Sequence, residues 1–403
     1  MTKADKEGQR KAPILRFKGF TDAWEQRKLG KQNKITMGQS PSSKNYTDNP
    51  QDWILIQGNA DLKNGKVSPR IYTSQLTKKA DIGDIILTVR APVGEVAITN
   101  YNAVLGRGVA AIKGNLFIYF ALEKFKANNK WNMYSSGSTF DSITGKDLNN
   151  LPLFFPSETE ENKIGELLNK LDNLLTLYDR KLKLLSQVKK YFLDNLFAEK
   201  EYPNLRFKGF TDAWEQRKLE NLSEHKSGTS IEKYFSSDGL YKVISIGSYG
   251  LNNEYIDQGI RAVKNKTTES KLVRSGQLTM VLNDKTANGN LIGRCLLIST
   301  DNEFIVNQRT EIIIPGPDLN GNYAYYYLNG PFRSKVKRIA QGGTQIYVNY
   351  SSVKKQKINY PIKDEQIKIS KLLKIIKKLI TLYENKQQHL TKIKKTLLNT
   401  MFI

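Results

Sequence analysis

Leu15–Leu29 reads LRFKGFTDAWEQRKL, and Leu205–Leu219 reads the same fifteen letters in the same order. Pro13 and Pro203 extend the match at an offset of 190 residues. Chance does not produce such a run, so the chain holds two copies of one unit, and this repeat governs the fold reading. A second echo lies downstream at an offset of 205 residues, where Pro156 answers to Pro361, Thr176-Leu177-Tyr178 to Thr381-Leu382-Tyr383, and Lys189-Lys190 to Lys394-Lys395. The two offsets differ by 15 residues, which must lie between the anchors of the second copy. Each copy is a fixed lead motif, then a variable interior, then a long helical stretch.

The helical stretches are Ser157–Lys200 and Ile362–Ile403. In the first, Ile164, Leu168, Leu171, Leu175, Tyr178, Leu182, Leu185, Phe192 and Leu196 recur at steps of three and four, interrupted at Lys189. That is a heptad seam, the pattern of one helix lying along another. Pro156-Ser157 with Glu160 three residues on predicts a capping box at its start, and Gly165 is its one interior weak point. In the second, Ile369, Leu373, Ile376, Ile380, Tyr383, Leu390 and Leu397 repeat the seam, with Gln387 and Lys394 as polar interruptions. About 40 residues at a 1.5 Å rise make a rod of roughly 60 Å, which cannot bury its stripe alone. The two rods are therefore expected to pair as a coiled coil, through Leu168, Leu171, Leu175, Tyr178, Leu182 and Leu185 on one side and Leu373, Ile376, Ile380, Tyr383 and Leu390 on the other.

At 403 residues, with 39% hydrophobic content, the chain has room for two or three domains. Its 63 Lys and Arg against 39 Asp and Glu give a formal charge of +24, which favours a polyanionic partner, and nucleic acid is the commonest. Basic residues are spread over both halves and no run of about 18 apolar residues exists, so no membrane partner is expected. Met1–Ala12 is a polar, disordered tail without the apolar core of a signal peptide. A single Cys295 excludes an internal disulfide and fits a reducing cytoplasm.

The interiors read as mixed α/β. In the first, Trp53–Ile56, Asp84–Val89, Glu95–Ile98 and Val109–Ile112 predict strands, and Phe117–Lys126 a helix. In the second, Tyr241–Ile246, Leu278–Leu282, Leu291–Ile298 and Glu311–Ile314 predict strands, and Tyr323–Arg338 one helix. The order is the same, yet almost no letters align. Identical frames around divergent interiors point to one fold adapted to two ligands.

Catalytic signatures are missing. One Cys and two His, His225 and His389, cannot supply the usual zinc ligand sets. Neither His lies near a nucleophile elbow, and there is no Walker A sequence. Gly106-Arg107-Gly108 with Ala111 matches a dinucleotide fingerprint only weakly, because Val109–Ile112 reads as strand rather than helix. Asn49-Pro50 begins like an amino-methyltransferase motif, but Gln51 and Asp52 do not continue it. The chain is expected to bind no metal or cofactor of its own.

What the interiors carry is donor-rich loops. Arg or Lys can read guanine O6/N7 and Asn or Gln adenine N6/N7 in the major groove, while Lys, Ser and Thr hold phosphates. The candidates in the first interior are Ser43, Lys44, Gln57, Asn59, Lys66, Arg90 and Arg107, with Ser138 and Thr139 in the turn Ser136-Gly137-Ser138-Thr139. Those in the second are Lys226, Lys266, Asn283, Lys285, Asn288, Asn290, Gln308 and Arg309, with Thr344 and Gln345 beside Gly342-Gly343. A free-standing sequence-specific DNA-binding regulator is an alternative, although no helix-turn-helix signal is present.

The paired Trp24-Glu25 and Trp214-Glu215, Arg90-Ala91-Pro92-Val93-Gly94, the Ser136–Thr139 turn, Asp147-Leu148 to Pro156, and the helix start Glu160–Ile164 together resemble the specificity subunit of a Type I restriction–modification system. The resemblance covers nearly the whole chain. It implies a non-catalytic subunit with two target-recognition domains (13–156 and 201–361) and two conserved helices (157–200 and 362–403) forming an antiparallel coiled coil with pseudo-twofold symmetry. Each domain would read one half of a bipartite, asymmetric site in double-stranded DNA. Two methyltransferase subunits using S-adenosylmethionine, and two motor-nuclease subunits using ATP and Mg, are the implied partners. The second domain departs from the first, since Asn283-Asp284-Lys285 stands where Arg90-Ala91-Pro92 stood and Gly343-Thr344 lacks the two serines.

Overall fold

The computed structural model describes residues 12–134, 142–197, 201–285 and 288–403. The tail, the Ser136–Thr139 turn with Ser138 and Thr139, and the last residues of the stretch 157–200 lie outside the described residues. The chain forms two compact units, Met1–Lys181 with Tyr383–Ile403, and Leu182–Leu382.

In the first unit the lead motif is half of a two-stranded ribbon. Glu25–Lys28 pairs antiparallel with Pro152–Phe155, the strand just before the long helix. Two sheets follow. The larger runs in the order Ile35–Met37, Val109–Ile112, Ile85–Thr88, Val96–Ile98, Lys66–Val67, Leu62–Lys63, and the smaller in the order Tyr46–Thr47, Tyr72–Thr73, Trp53–Ile56, Ala103–Leu105, Lys79–Ala80. Successive strand residues face opposite sides. Ile85, Leu87, Ala110 and Ile112 therefore enter the main core against helix Leu116–Ala127, while Ile86, Val109 and Ala111 enter a small core with Ile56, Ala103 and Leu105. Burial on both faces explains why these strands read as unbroken apolar runs.

The second unit repeats this wiring with other letters. Ser223–Ser227, Thr310–Pro315, Leu278–Val281 and Cys295–Leu297 form one sheet, and Arg261–Ala262, Tyr241–Ile244, Phe304–Val306 and Leu272–Val273 the other. Glu215–Lys218 pairs with Lys357–Tyr360 as the equivalent ribbon. In each unit the one parallel pair of the smaller sheet joins corresponding strands, Trp53–Ile56 to Ala103–Leu105 and Tyr241–Ile244 to Phe304–Val306.

Two expectations are corrected. The predicted helix Tyr323–Arg338 is two helices, Gly321–Asn329 and Pro331–Ile339. Pro331 has no N–H to donate and starts the second helix at its first position. The predicted strand Leu291–Ile298 is reduced to Cys295–Leu297, because Leu291–Arg294 forms a turn closed by Arg294 N–H to Leu291 O at 3.0 Å.

The long helices run Glu158–Asn195 and Lys363–Thr400. The predicted capping box forms only by half. Ser157 Oγ accepts from Glu160 N–H at 3.4 Å, but the Glu160 carboxylate is taken by Arg16 of the lead motif, Nε to Oε1 and Nη2 to Oε2 both at 2.7 Å. The second unit repeats the fork, with Arg206 to Glu365 at 2.9 and 2.8 Å. Gly165 has a tertiary reason, since a Cβ there would lie 2.7 Å from Leu116 Cβ.

Within the first unit the two helices run antiparallel, for Asp172 meets Lys394 at 2.7 Å and Asp179 meets Gln387. The Tyr178 and Tyr383 rings sit 5.6 Å apart on the seam. Leu168 and Leu171 are buried there with Leu398, Met401 and Phe402, and Leu390 packs against the same core. Within the second unit Phe192, Leu193, Leu196 and Phe197 share a core with Ile369, Leu372 and Leu373. Ile376 is buried, whereas Leu175, Leu182, Leu185 and Ile380 are half-buried.

The ends of the helices are plugs. Phe402 stacks on Phe117 at 4.9 Å beside the buried Trp24, and Phe197 lies 5.6 Å from Tyr323 beside the buried Trp214. Leu15 N–H donates to Thr400 O at 2.8 Å, as Leu205 N–H donates to Asn195 O at 2.9 Å. In the second unit the helix end and the lead motif follow directly in sequence, whereas in the first they come from residues far apart in the chain.

Candidate nucleic-acid interface

In each unit the loops between the two sheets gather at one place. In the first, Gly38 N–H donates to Val109 O, Val89 N–H to Gly108 O, Gly106 N–H to Ile56 O, and Ile143 N–H to Val89 O, all between 2.7 and 3.0 Å. This ladder brings Gln57, Arg90 and Arg107 together. Arg107 N–H is held by Ser40 Oγ at 3.0 Å. The Gln57 turn is fixed from below by the buried Asp61, which accepts from Gln57 N–H at 2.8 Å, Gly58 N–H at 3.1 Å and Arg70 Nε at 2.9 Å. Gln57 Nε2 also donates to Tyr46 Oη at 3.0 Å, linking it to the short turn Ser43–Asn45 that carries Ser43 and Lys44.

Arg90 is aimed by the turn that follows it. Thr88 Oγ1 donates to Pro92 O at 2.7 Å and accepts from Glu95 N–H at 2.9 Å. Gly94 closes the turn at φ +89°, and a Cβ there would lie 2.2 Å from Trp131 Cδ1. Only glycine combines that dihedral with that approach. Asn59 is exposed at the start of the short turn Asn59–Asp61, and Lys66 sits away from the gathered loops, on a strand near the far edge of the larger sheet.

The second unit gathers the same loops. Gly228 N–H donates to Thr310 O, Leu282 N–H to Arg309 O, Asn307 N–H to Ile244 O, and Val348 N–H to Leu282 O, between 2.8 and 3.0 Å. Asn283 pairs with Tyr347 as Arg90 pairs with Ser142, so Asn283 occupies the place of Arg90. Gln308 and Arg309 occupy those of Arg107 and Gly108. Arg309 takes φ +64°, a left-handed backbone that non-glycine residues rarely adopt and that clusters at functional sites.

Glu232 organises part of this edge, accepting from Asn307 Nδ2 and Gln308 Nε2, each at 2.9 Å, and from Ser230 Oγ. Hydrogen bonds from Ser230, then Asn307, hold its carboxyl down at about 2. Lys226 is paired across the sheet with Ile312, and Lys285 follows directly on Asn283-Asp284. Asn288 and Asn290 lie in the turn behind, where Arg294 Nε and Arg333 Nη2 donate to Asn290 O at 2.6 and 2.7 Å. Burial pushes the Arg333 guanidinium down to about 10, so these two arginines brace the loop from inside. Thr344 and Gln345 are in the turn that Gln341 and Tyr347 close. Lys266 sits apart, in the short helix Lys266–Glu269.

The sequence reading missed His225, Ser227 and Glu311. His225 Nδ1–H donates to Glu311 Oε1 at 2.6 Å, and Ser227 Oγ donates to the same oxygen at 3.0 Å. Glu311 is 1% exposed. The signal was present as a charged residue inside the apolar run Thr310–Pro315. Because Ser227 bonds Glu311 and not the imidazole, the three do not form the relay of a hydrolase triad. Among the described residues no group of three or more His, Cys, Asp and Glu is placed to hold a metal ion, and no helix is long and apolar enough to cross a membrane.

Known proteins share this organisation. Residues 21–187 and 211–392 each match the family described as Type I restriction modification DNA specificity domain. A putative type I restriction enzyme MjaX specificity subunit of Methanocaldococcus jannaschii is 32% identical over 185 residues, covering 44% of this chain and 43% of that protein. The type I restriction enzyme MjaIX specificity subunit of the same organism is 25% identical over 239 residues, covering 53% of this chain and 55% of that protein. The matched part is thus about half the length of these curated relatives. The crystal structure of a Type-I restriction-modification system S subunit from M. genitalium aligns over 97% of this chain and 99% of its own, with a TM-score of 0.65 at 16% identity. A structure described as the basis of complex assembly and conformational transition of the type I R-M system aligns over 95% and 98%, with a TM-score of 0.52 at 16% identity. With both halves matched over most of their length, the chain belongs to the Type I restriction–modification DNA specificity family.

Proposed function

We propose that this chain is the DNA-reading specificity subunit of a Type I restriction–modification complex. Each unit reads one half of a bipartite, asymmetric site in double-stranded DNA. One observation carries this reading. The two units share a fold and identical lead-motif anchors, yet the side chains at the gathered loops differ, Arg90 against Asn283 and Arg107 against Gln308. A scaffold held constant under a variable edge is what two different half-sites require. The charge of +24 supplies the sequence-independent attraction to phosphate.

The subunit works in the cytoplasm and is not itself catalytic. Two methyltransferase subunits supply adenine methylation with S-adenosylmethionine, and two motor-nuclease subunits supply ATP- and Mg-dependent translocation and cleavage. The long helices pair and set the unspecified spacer. They also present apolar residues that pairing leaves exposed, Leu177, Leu184 and Tyr191 at heptad spacing and Ile375, Leu379 and Leu382 on the other helix, which suits docking of the methyltransferase.

The experiment is to map methylated adenines in cells carrying this chain and its methyltransferase partner. A single two-part motif with a fixed gap is expected. A motif that is unchanged when the whole of the second interior is exchanged for another would overturn the reading.

A further inference from the structure

One register position separates the two units chemically. In the first, Ile35 lies opposite Ile112 and Met37 opposite Ala110, and all four belong to the apolar core. In the second, the same register places His225 opposite Ile313 and Ser227 opposite Glu311. The sheet therefore folds without a charge at this point. A buried carboxylate is unfavourable unless paired, so its presence in only one unit calls for a reason other than folding.

The surroundings supply one. His225, Asn283, Arg309, Glu311 and Tyr347 line a cavity of 430 Å³ at the gathered loops, and the Tyr350 ring lies 4.7 Å from the imidazole. The histidine side chain is 37% exposed while Glu311 beneath it is 2% exposed. With Nδ1 directed at the carboxylate oxygen, the tautomer that donates there presents Nε2 outward as a hydrogen-bond acceptor. On the major-groove edge the only base donors are the exocyclic amino groups, adenine N6 and cytosine N4.

We propose that this cavity is a specificity pocket of the second unit, in which His225 accepts a hydrogen bond from an exocyclic amino group of the DNA and Glu311 is its positioning residue. The inference rests on the DNA-reading function proposed above and adds the chemical group that is read.

The test uses the full chain with its methyltransferase partner and oligonucleotides bearing the mapped motif. Each adenine of the half-site read by the second unit is replaced in turn by purine, and each cytosine by 2-pyrimidinone, analogues that lack the amino group. One replacement should weaken binding by the wild type about tenfold, and its identity distinguishes adenine from cytosine. In His225→Ala, and in Glu311→Gln where it folds, that replacement should carry no penalty while the first unit's half-site stays intact. The proposal is overturned if every analogue binds the wild type as well as its parent base, or if His225→Ala still discriminates. The analogue scan on the wild type needs no variant, so misfolding of Glu311→Gln does not blunt it. Absence of any bipartite motif in the wild type would instead refute the DNA-reading function itself.

Discussion

Arg16 grips Glu160 through two parallel hydrogen bonds of 2.7 Å, with the carboxylate fully buried and the guanidinium 14% exposed. The pair ties the lead motif to the first turn of the long helix, where a carboxylate also meets the positive end of the helix dipole. The hydrogen bonds to Glu160 raise the Arg16 guanidinium further above its ordinary range, so the arginine keeps its charge. Removing one partner strands a buried charge. Arg16→Met or Glu160→Leu alone should cost about 3–5 kcal/mol, and the double variant much less than the two losses together. Denaturant unfolding of the four proteins measures this, and simple additivity would refute the coupling.

Arg90 and Asn283 hold equivalent places on different units, so their alanine variants should be separable. Arg90→Ala is expected to relax or weaken one half-site by about 1–3 kcal/mol, and Asn283→Ala the other half-site. Methylation mapping reads both at once. If Arg90→Ala degraded both half-sites equally, the loss would be one of folding.

Glu232 couples acid stability to the interface. Its carboxyl is lowered from 4.5 to about 2 in the folded chain. The unfolded chain therefore binds the proton first as pH falls, and the group's contribution is complete above 4.5 and lost as pH falls through about 2. Thermal unfolding followed across that window should show a steeper decline for the wild type than for Glu232→Gln. Parallel profiles would mean that Ser230, Asn307 and Gln308 do not hold the carboxylate in solution.

The plug formed by Met401 and Phe402 repeats the one formed by Leu196 and Phe197. A rearranged chain that joins Ile403 to Pro13 by a linker of the length between Phe197 and Leu205, and opens within residues 198–200, should fold and keep both half-sites. The measurement is its methylation motif. Loss of only the first unit's half-site would show that the new junction strains Leu15 against Thr400.

Adding one heptad to both long helices preserves the seam, because seven residues return each side chain to the same face. The unspecified spacer should lengthen while both half-site sequences persist. An unchanged spacer in the mapped motif would count against the helices as the ruler.

Binding to DNA should weaken steeply as salt rises, since each neutralised phosphate releases a counterion. The Lys44→Ala and Lys226→Ala variants should reduce that slope without altering either half-site.

The repeat, the paired helices and the apolar strands were legible because each is a local regularity: fifteen repeated letters, a heptad, a run such as Ile85–Thr88. The predicted single helix Tyr323–Arg338 ran through Pro331, which divides it in two for a reason written in its own ring. Other features arise from residues that meet only once the chain has folded. Arg16 and Glu160 are 144 positions apart, and His225 and Glu311 are 86 apart. Nothing in the spacing of either pair marks it: the first joins the lead motif to a helix, and the second depends on sheet register, which is set by burial of whole faces rather than by neighbours in the chain. The gathering of Gln57, Arg90 and Arg107, and the replacement of Arg90 by Asn283, likewise follow from strand order, which periodicity does not encode.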